Sequence, residues 1–107
     1  MRGKIEGTIL YESRAANRLS KNYAHGRLYL MREKVIFISN IFMLGGRNES
    51  YEMEFPLKAI TKIHLRERYG FWPSKIVFEF ENGRREHFSV PKRSVWMEHI
   101  RRLRPDL

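Results

Sequence analysis

Apolar and polar residues alternate with a period of two along most of the chain, and the alternation yields to a helical stripe only near the C-terminus. Residues 6–13 (EGTILYES) predict a first strand, with Ile9 and Tyr11 on one face and Thr8 and Leu10 on the other. Residues 14–24 (RAANRLSKNYA) are polar and basic and predict a long loop. Residues 26–31 (GRLYLM) predict a second strand, with Leu28 and Leu30 alternating against Arg27 and Tyr29. Glu33 and Lys34 form the expected turn, and residues 34–39 (KVIFIS) return as a third strand. Residues 40–50 (NIFMLGGRNES) predict a loop in which Ile41, Phe42, Met43 and Leu44 cover the core, with a dimer contact or an extended third strand as alternatives.

The second half repeats the theme. Residues 51–55 (YEMEF) predict a fourth strand closed by Pro56. Residues 59–67 predict a fifth, with Ile63 and Leu65 as inward candidates. Residues 75–81 and 84–90 predict a sixth and a seventh, joined at Asn82-Gly83, a pair suited to a tight turn with positive φ at both central positions. Phe88 and Val90 then face the core. Beyond them Trp96, Ile100 and Leu103 recur at i, i+4 and i+7, with Val95 beside them, and predict a helix over 91–104. Pro91 suits its first turn, and Arg101, Arg102 and Arg104 complement the dipole at its C-terminal end. Strands over about 6–90 followed by one amphipathic helix predict a single mainly β domain spanning 1–107: a seven-stranded antiparallel bent barrel capped by the helix.

Composition narrows the chemistry. The chain has 107 residues, 42% of them hydrophobic and 13% aromatic, values suited to one globular domain. Cysteine is absent, which excludes disulfides, thiolate metal sites and cysteine nucleophiles. The four histidines, His25, His64, His87 and His99, lack paired ligand spacing, so no metal site is expected. The apolar run 35–44 is broken by Ser39 and Asn40 and falls short of the roughly 18 residues of a membrane span. The N-terminal stretch has no unbroken apolar core of a signal peptide, so a cytoplasmic protein is expected. The charge changes the picture most: 21 Lys and Arg against 12 Asp and Glu leave a net +9, which points to an anionic membrane surface or nucleic acid unless it serves solubility alone.

Three stretches then carry a likeness to known proteins. GRLYLMREKVIFIS (26–39) is similar to a recurrent G-x-L-Y-L-T-x-x-R-L-I-F hairpin, FPLKAITKI (55–63) to an I-P-L-x-x-I-x-x-I element, and Trp96 followed by Ile100 to a near-signature helix tryptophan. Together they resemble the GRAM branch of the pleckstrin-homology superfamily. Met31 stands where the family has threonine, and Lys34 where it has arginine. The phosphoinositide pattern of some family members is incomplete: Tyr29 follows Arg27 where a second basic residue would stand, and the second half of the first strand has no lysine. The resemblance therefore implies a non-enzymatic binding module rather than a high-affinity inositol-phosphate receptor, and the fold itself serves several functions.

Two sites follow. The resemblance places a ligand mouth at the loop between the first two strands, where Arg14, Arg18, Lys21 and Arg27 would meet an anionic ligand or lipid headgroup. Arg68, Tyr69, Phe71, Trp72 and Lys75, with Arg66 nearby, have the composition of a membrane or partner anchor; the plainer alternative is that Phe71 and Trp72 fold back over an open end of the barrel. A basic strip of Arg84, Arg85, Lys92, Arg93, Arg101 and Arg102 is expected to be a solvated face. No catalytic residues and no cofactor are expected, since the chain shows no nucleophile elbow and no Gly-rich loop before a helix. The expected partner is an anionic membrane surface, reached peripherally from its inner face, or a protein. Nucleic-acid binding and a purely structural, homo-oligomerising role are the alternatives.

Overall fold

A computed structural model describes residues 7–19, 22–42, 48–67 and 74–107. Seven strands run in chain order as β1 (Ile9–Leu19), β2 (Asn22–Met31), β3 (Lys34–Phe42), β4 (Asn48–Pro56), β5 (Ile60–Arg66), β6 (Lys75–Phe80) and β7 (Arg85–Ser89), and the helix α1 (Arg93–Leu103) follows. A 3-10 turn, Leu57–Ala59, joins β4 to β5. All pairings are antiparallel, in the spatial order β4-β3-β2-β1-β7-β6-β5. The sheet is therefore open, with β4 and β5 as its edges.

It is nevertheless strongly bent. Phe55 of β4 meets Phe78 and Phe80 of β6 with ring centroids 5.3 and 5.0 Å apart, although four strands separate β4 from β6 in the sheet order. Phe37 of β3 likewise reaches Phe88 of β7 at 5.4 Å. Such contacts exist only if the sheet folds over on itself, and its concave face becomes the core. Leu28, Leu30, Val35, Phe37, Ile76, Phe78 and Phe88 fill that face. It is the predicted mainly β fold with one C-terminal helix, bent as expected but not closed into a barrel.

The helix supplies what the open sheet lacks. Trp96 and Ile100 are fully buried, with Met97 beside them in the same cluster. Burying such side chains contributes roughly 1.5–3 kcal/mol each. Trp96 also has a polar handle: its Nε1 donates to Ser13 Oγ at 2.9 Å, and the Tyr11 ring meets the indole edge-on at 4.9 Å. Tyr11 in turn stacks on His99 at 4.5 Å. At the other end, Arg104 donates to the carbonyls of Leu57 (2.6 Å) and Ile60 (3.1 Å), so the helix is pinned to the connection between the two edge strands.

The two halves of the sheet join through a short ladder. β1 pairs with β2 along its whole length but with β7 only at Ala16–Ser89 and Asn17–Phe88. Asn17 is fully buried and reinforces the joint: Nδ2 donates to the His87 carbonyl at 3.0 Å, and Oδ1 accepts from the Tyr51 hydroxyl at 3.2 Å. One side chain thus ties β1 to both β7 and β4.

Several expectations need correction. The stretch 14–24 is not a long loop: β1 continues to Leu19 and β2 begins at Asn22. Its inward positions are Ala15, Asn17 and Ala24, all buried but too small or polar to register as a hydrophobic alternation. β3 and β4 likewise extend into the predicted 40–50 loop, to Phe42 and from Asn48; residues 43–47 lie outside the described residues. A bulge between Ile9 and Tyr11 sends the two to opposite faces: Tyr11 packs on the core, and Ile9 on a second cluster of Tyr29, Met31 and Ile36. Leu65 lies on the concave side, opposite Ile76, but is 45% exposed there. In the Asn82-Gly83 turn only Gly83 has positive φ (86°). Asn82 instead accepts the Arg84 N–H through Oδ1 at 2.9 Å, and the Gly83 N–H closes on the Phe80 carbonyl at 2.8 Å. The helix begins at Arg93, after Lys92 in a left-handed conformation (φ 52°), so Pro91 precedes it rather than opening it.

Trp96→Ala is expected to cost about 3–5 kcal/mol, and Asn17→Ala about 1–3 kcal/mol because it orphans buried partners on two strands. Urea unfolding followed by far-UV circular dichroism checks both. Wild-type stability in the Asn17 variant would refute its role as the joint.

Candidate anion-binding face

The convex face of the sheet follows from strand register. Odd-numbered β1 residues from Tyr11 to Asn17 point to the core, so Glu12, Arg14, Ala16 and Arg18 point outward. Phe88 is a core residue paired with Asn17 and with Ile76, so His87, Ser89, Lys75 and Val77 also lie on the convex side of the sheet, where the first three are half-buried and Val77 is fully buried. β5 adds Arg66 opposite Lys75, and His64 opposite Val77. Two cross-strand rows result. Ala16 pairs with Ser89, Lys75 with Arg66, and His87 with Val77 and then His64; extending the same registers by one residue sets Lys75 beside Ser89 and Arg18 beside His87. Adjacent strands are about 4.8 Å apart, and alternate residues of one strand about 7 Å, so these side chains share a single patch.

The patch is electrostatically crowded. Burial first, then the neighbouring charges of Arg18 and Arg66, push the Lys75 ammonium below its usual range. Burial likewise pushes His87 down, helped by Lys75, Arg18 and Arg66 and only partly opposed by Glu86. His87 Nδ1 is buried with no hydrogen-bond partner. Among the described residues neither Arg66 nor Lys75 has a carboxylate partner. The acid of this half-face is Glu79, which is spoken for: it takes His64 Nε2 at 2.9 Å and Arg85 at 3.0 Å, and the His64 bond holds its carboxyl below the usual range. A group of cations that raise one another's cost of ionisation is suited to receive an anion, which removes that repulsion.

Arg14 and Arg27 lie on the same convex face one row further along, directly opposite each other across β1 and β2. Arg27 pairs with Glu12 at 3.1 Å. The expected loop mouth is therefore replaced by a strand face: Arg14, Arg18 and Arg27 sit on β1 and β2, and Lys75, expected in a separate anchor, joins them there. Lys21, Arg68, Tyr69, Phe71 and Trp72 lie outside the described residues. Arg66, His87, His64 and Ser89 were not read as one site from the sequence. Their only common signal is the strand alternation, which shows that each points outward but not which strands adjoin.

The strip of arginines expected on the solvated side is dispersed and mostly paired, with Arg84 on Glu86, Arg85 on Glu79, Arg93 on Glu67 and Arg102 on Glu98. On the concave side Glu86 receives Arg84 at 2.6 Å and lies near Asn17 and Tyr51; burial, then Glu86, pushes the Tyr51 hydroxyl up.

No protein-family model and no curated protein matches the chain. The fold is shared with solved structures. One is the crystal structure of the C-terminal domain of an unknown protein from Leishmania infantum, with a TM-score of 0.68 and 14% identity over 90% of this chain and 83% of that one. At that identity the likeness extends to the fold alone. Among the described residues no helix is long and apolar enough to cross a membrane.

Held neutral by burial and its cationic neighbours, His87 binds its proton at lower pH in the folded state than in the unfolded chain, which protonates near pH 6.5. The unfolded state therefore binds more protons as pH falls below about 7, and stability falls with it. The carboxylates held low, Glu79 and Asp106, act only further into acid. His87→Gln is expected to flatten the fall in urea midpoint between pH 7.5 and about 5.5. An unchanged slope would refute the crowding.

Proposed function

We propose that this chain is a non-enzymatic binding module of the GRAM and pleckstrin-homology type that attaches peripherally to membranes rich in anionic lipid. The observation that carries the reading is the convergence of Arg18, Lys75 and Arg66 about His87 on one outer face. Each Lys or Arg close to an anionic bilayer contributes about 1 kcal/mol, and several on one face add. The sequence resemblance of residues 26–39 and 55–63 supports the same class. The face offers cationic donors, and its acid Glu79 is already held by His64 and Arg85.

Co-sedimentation with phosphatidylcholine vesicles, with and without phosphatidylserine, tests this. Binding is expected only with phosphatidylserine and to weaken steeply with salt. Arg18→Ala/Lys75→Ala is expected to weaken it about thirtyfold, two charges at about 1 kcal/mol each. Equal binding to neutral vesicles overturns the membrane reading. Tighter retention of single- or double-stranded nucleic acid in a gel shift at the same salt replaces it with a nucleic-acid reading.

A further inference from the structure

The ladder between β1 and β7 ends at Ala16–Ser89, and there the two strands part. β1 carries on beside β2 towards Ile9, while the chain leaving β7 passes through Val90 and Pro91 into α1. The parting leaves an open cleft of about 380 Å³ whose lining includes Arg14, Ala16, His25, Gly26, Ser89 and Pro91.

Its make-up is selective. No lining residue is acidic. Arg14 and His25 are exposed, and the Arg14 guanidinium has no ion-pair partner among the described residues. Ser89 brings a hydroxyl from the facing wall. The floor is nearly bare. Ala16 stands between Arg14 and Arg18 on its own strand and opposite His25 on β2. Gly26 has no side chain and can have none, because a Cβ there would fall on the Ile38 backbone carbonyl across the β2–β3 ladder. A small-residue floor ringed by a guanidinium, an imidazole and a hydroxyl matches a compact tetrahedral anion. Arginine presents planar paired donors to phosphate oxygens. The volume leaves room for the alcohol that such a phosphate esterifies.

We propose that this cleft is a phosphomonoester-binding subsite, in which Arg14, His25 and Ser89 hold the phosphate over Ala16. The proposal rests on the reading that the convex face takes anions, and it makes one place on that face saturable and selective where the face as a whole responds only to summed charge. A lipid headgroup and a soluble phosphate ester offer the same chemistry.

Titrating the full chain with inorganic phosphate while recording its amide nitrogen–proton spectrum tests the subsite. Saturable shifts are expected at Ala16, Gly26 and Ser89. Ala16→Val raises the floor without altering charge and suits a strand; it is expected to weaken phosphate at least tenfold, as is Arg14→Ala, with the thermal midpoint of each variant checking that it folds. Vesicles of phosphatidic acid and of phosphatidylserine, matched in surface charge, then separate the sources. Preference for phosphatidic acid that Ala16→Val removes assigns the subsite to a lipid, and saturable inorganic phosphate without that preference assigns it to a soluble ester. Shifts that rise linearly with phosphate, or that persist unchanged in folded Ala16→Val, overturn the proposal. Wild-type indifference to phosphatidylserine would instead overturn the membrane reading, since inorganic phosphate is measured without a bilayer.

Discussion

Two residue pairs hold the molecule together. The sheet is continuous only because Ala16 and Asn17 of β1 meet Ser89 and Phe88 of β7. Without that ladder the β1–β4 half and the β5–β7 half would be separate small sheets, each with an apolar face in water. Neither would be secure alone, since three or four strands need a partner layer to bury that face. The ladder is short, and Asn17 strengthens it with bonds that reach both β7 and β4. A fully buried amide is tolerable because its donors and acceptor are satisfied.

The same joint explains the bend and the helix. Beyond Ala16 the strand β1 turns away from β7, and the gap on the concave side is taken by Trp96 with its Nε1 on Ser13. The helix therefore completes a core that the sheet begins, and Arg104 fastens its far end to the carbonyls of Leu57 and Ile60. On the convex side the same parting of β1 from β7 opens the cleft beside Ala16. Core and candidate site are two faces of one geometric event.

Strand existence was legible from residue pattern where large side chains alternate. Leu28 and Leu30, Val35 and Phe37, and Phe88 and Val90 are all in the core, and so are Trp96 and Ile100 of the helical stripe. The pattern failed at 14–24, and for a physical reason. The inward positions there are small or polar, and Ala15, Asn17 and Ala24 carry no hydrophobic signature. A bulge is equally silent, which is why Ile9 and Tyr11 part company.

The order of residues along the chain settled by itself that there would be an antiparallel β structure with a tryptophan-bearing helix, because period two and period 3.6 are local properties of neighbouring positions. It also settled that the surface would be strongly basic. It could not settle where that charge collects. Arg18, Arg66, Lys75 and His87 belong to four different strands, and whether they crowd or scatter depends on the register of ladders between residues distant in sequence. Register is a product of packing across the whole sheet, so the crowded cationic face belongs to the tertiary structure alone.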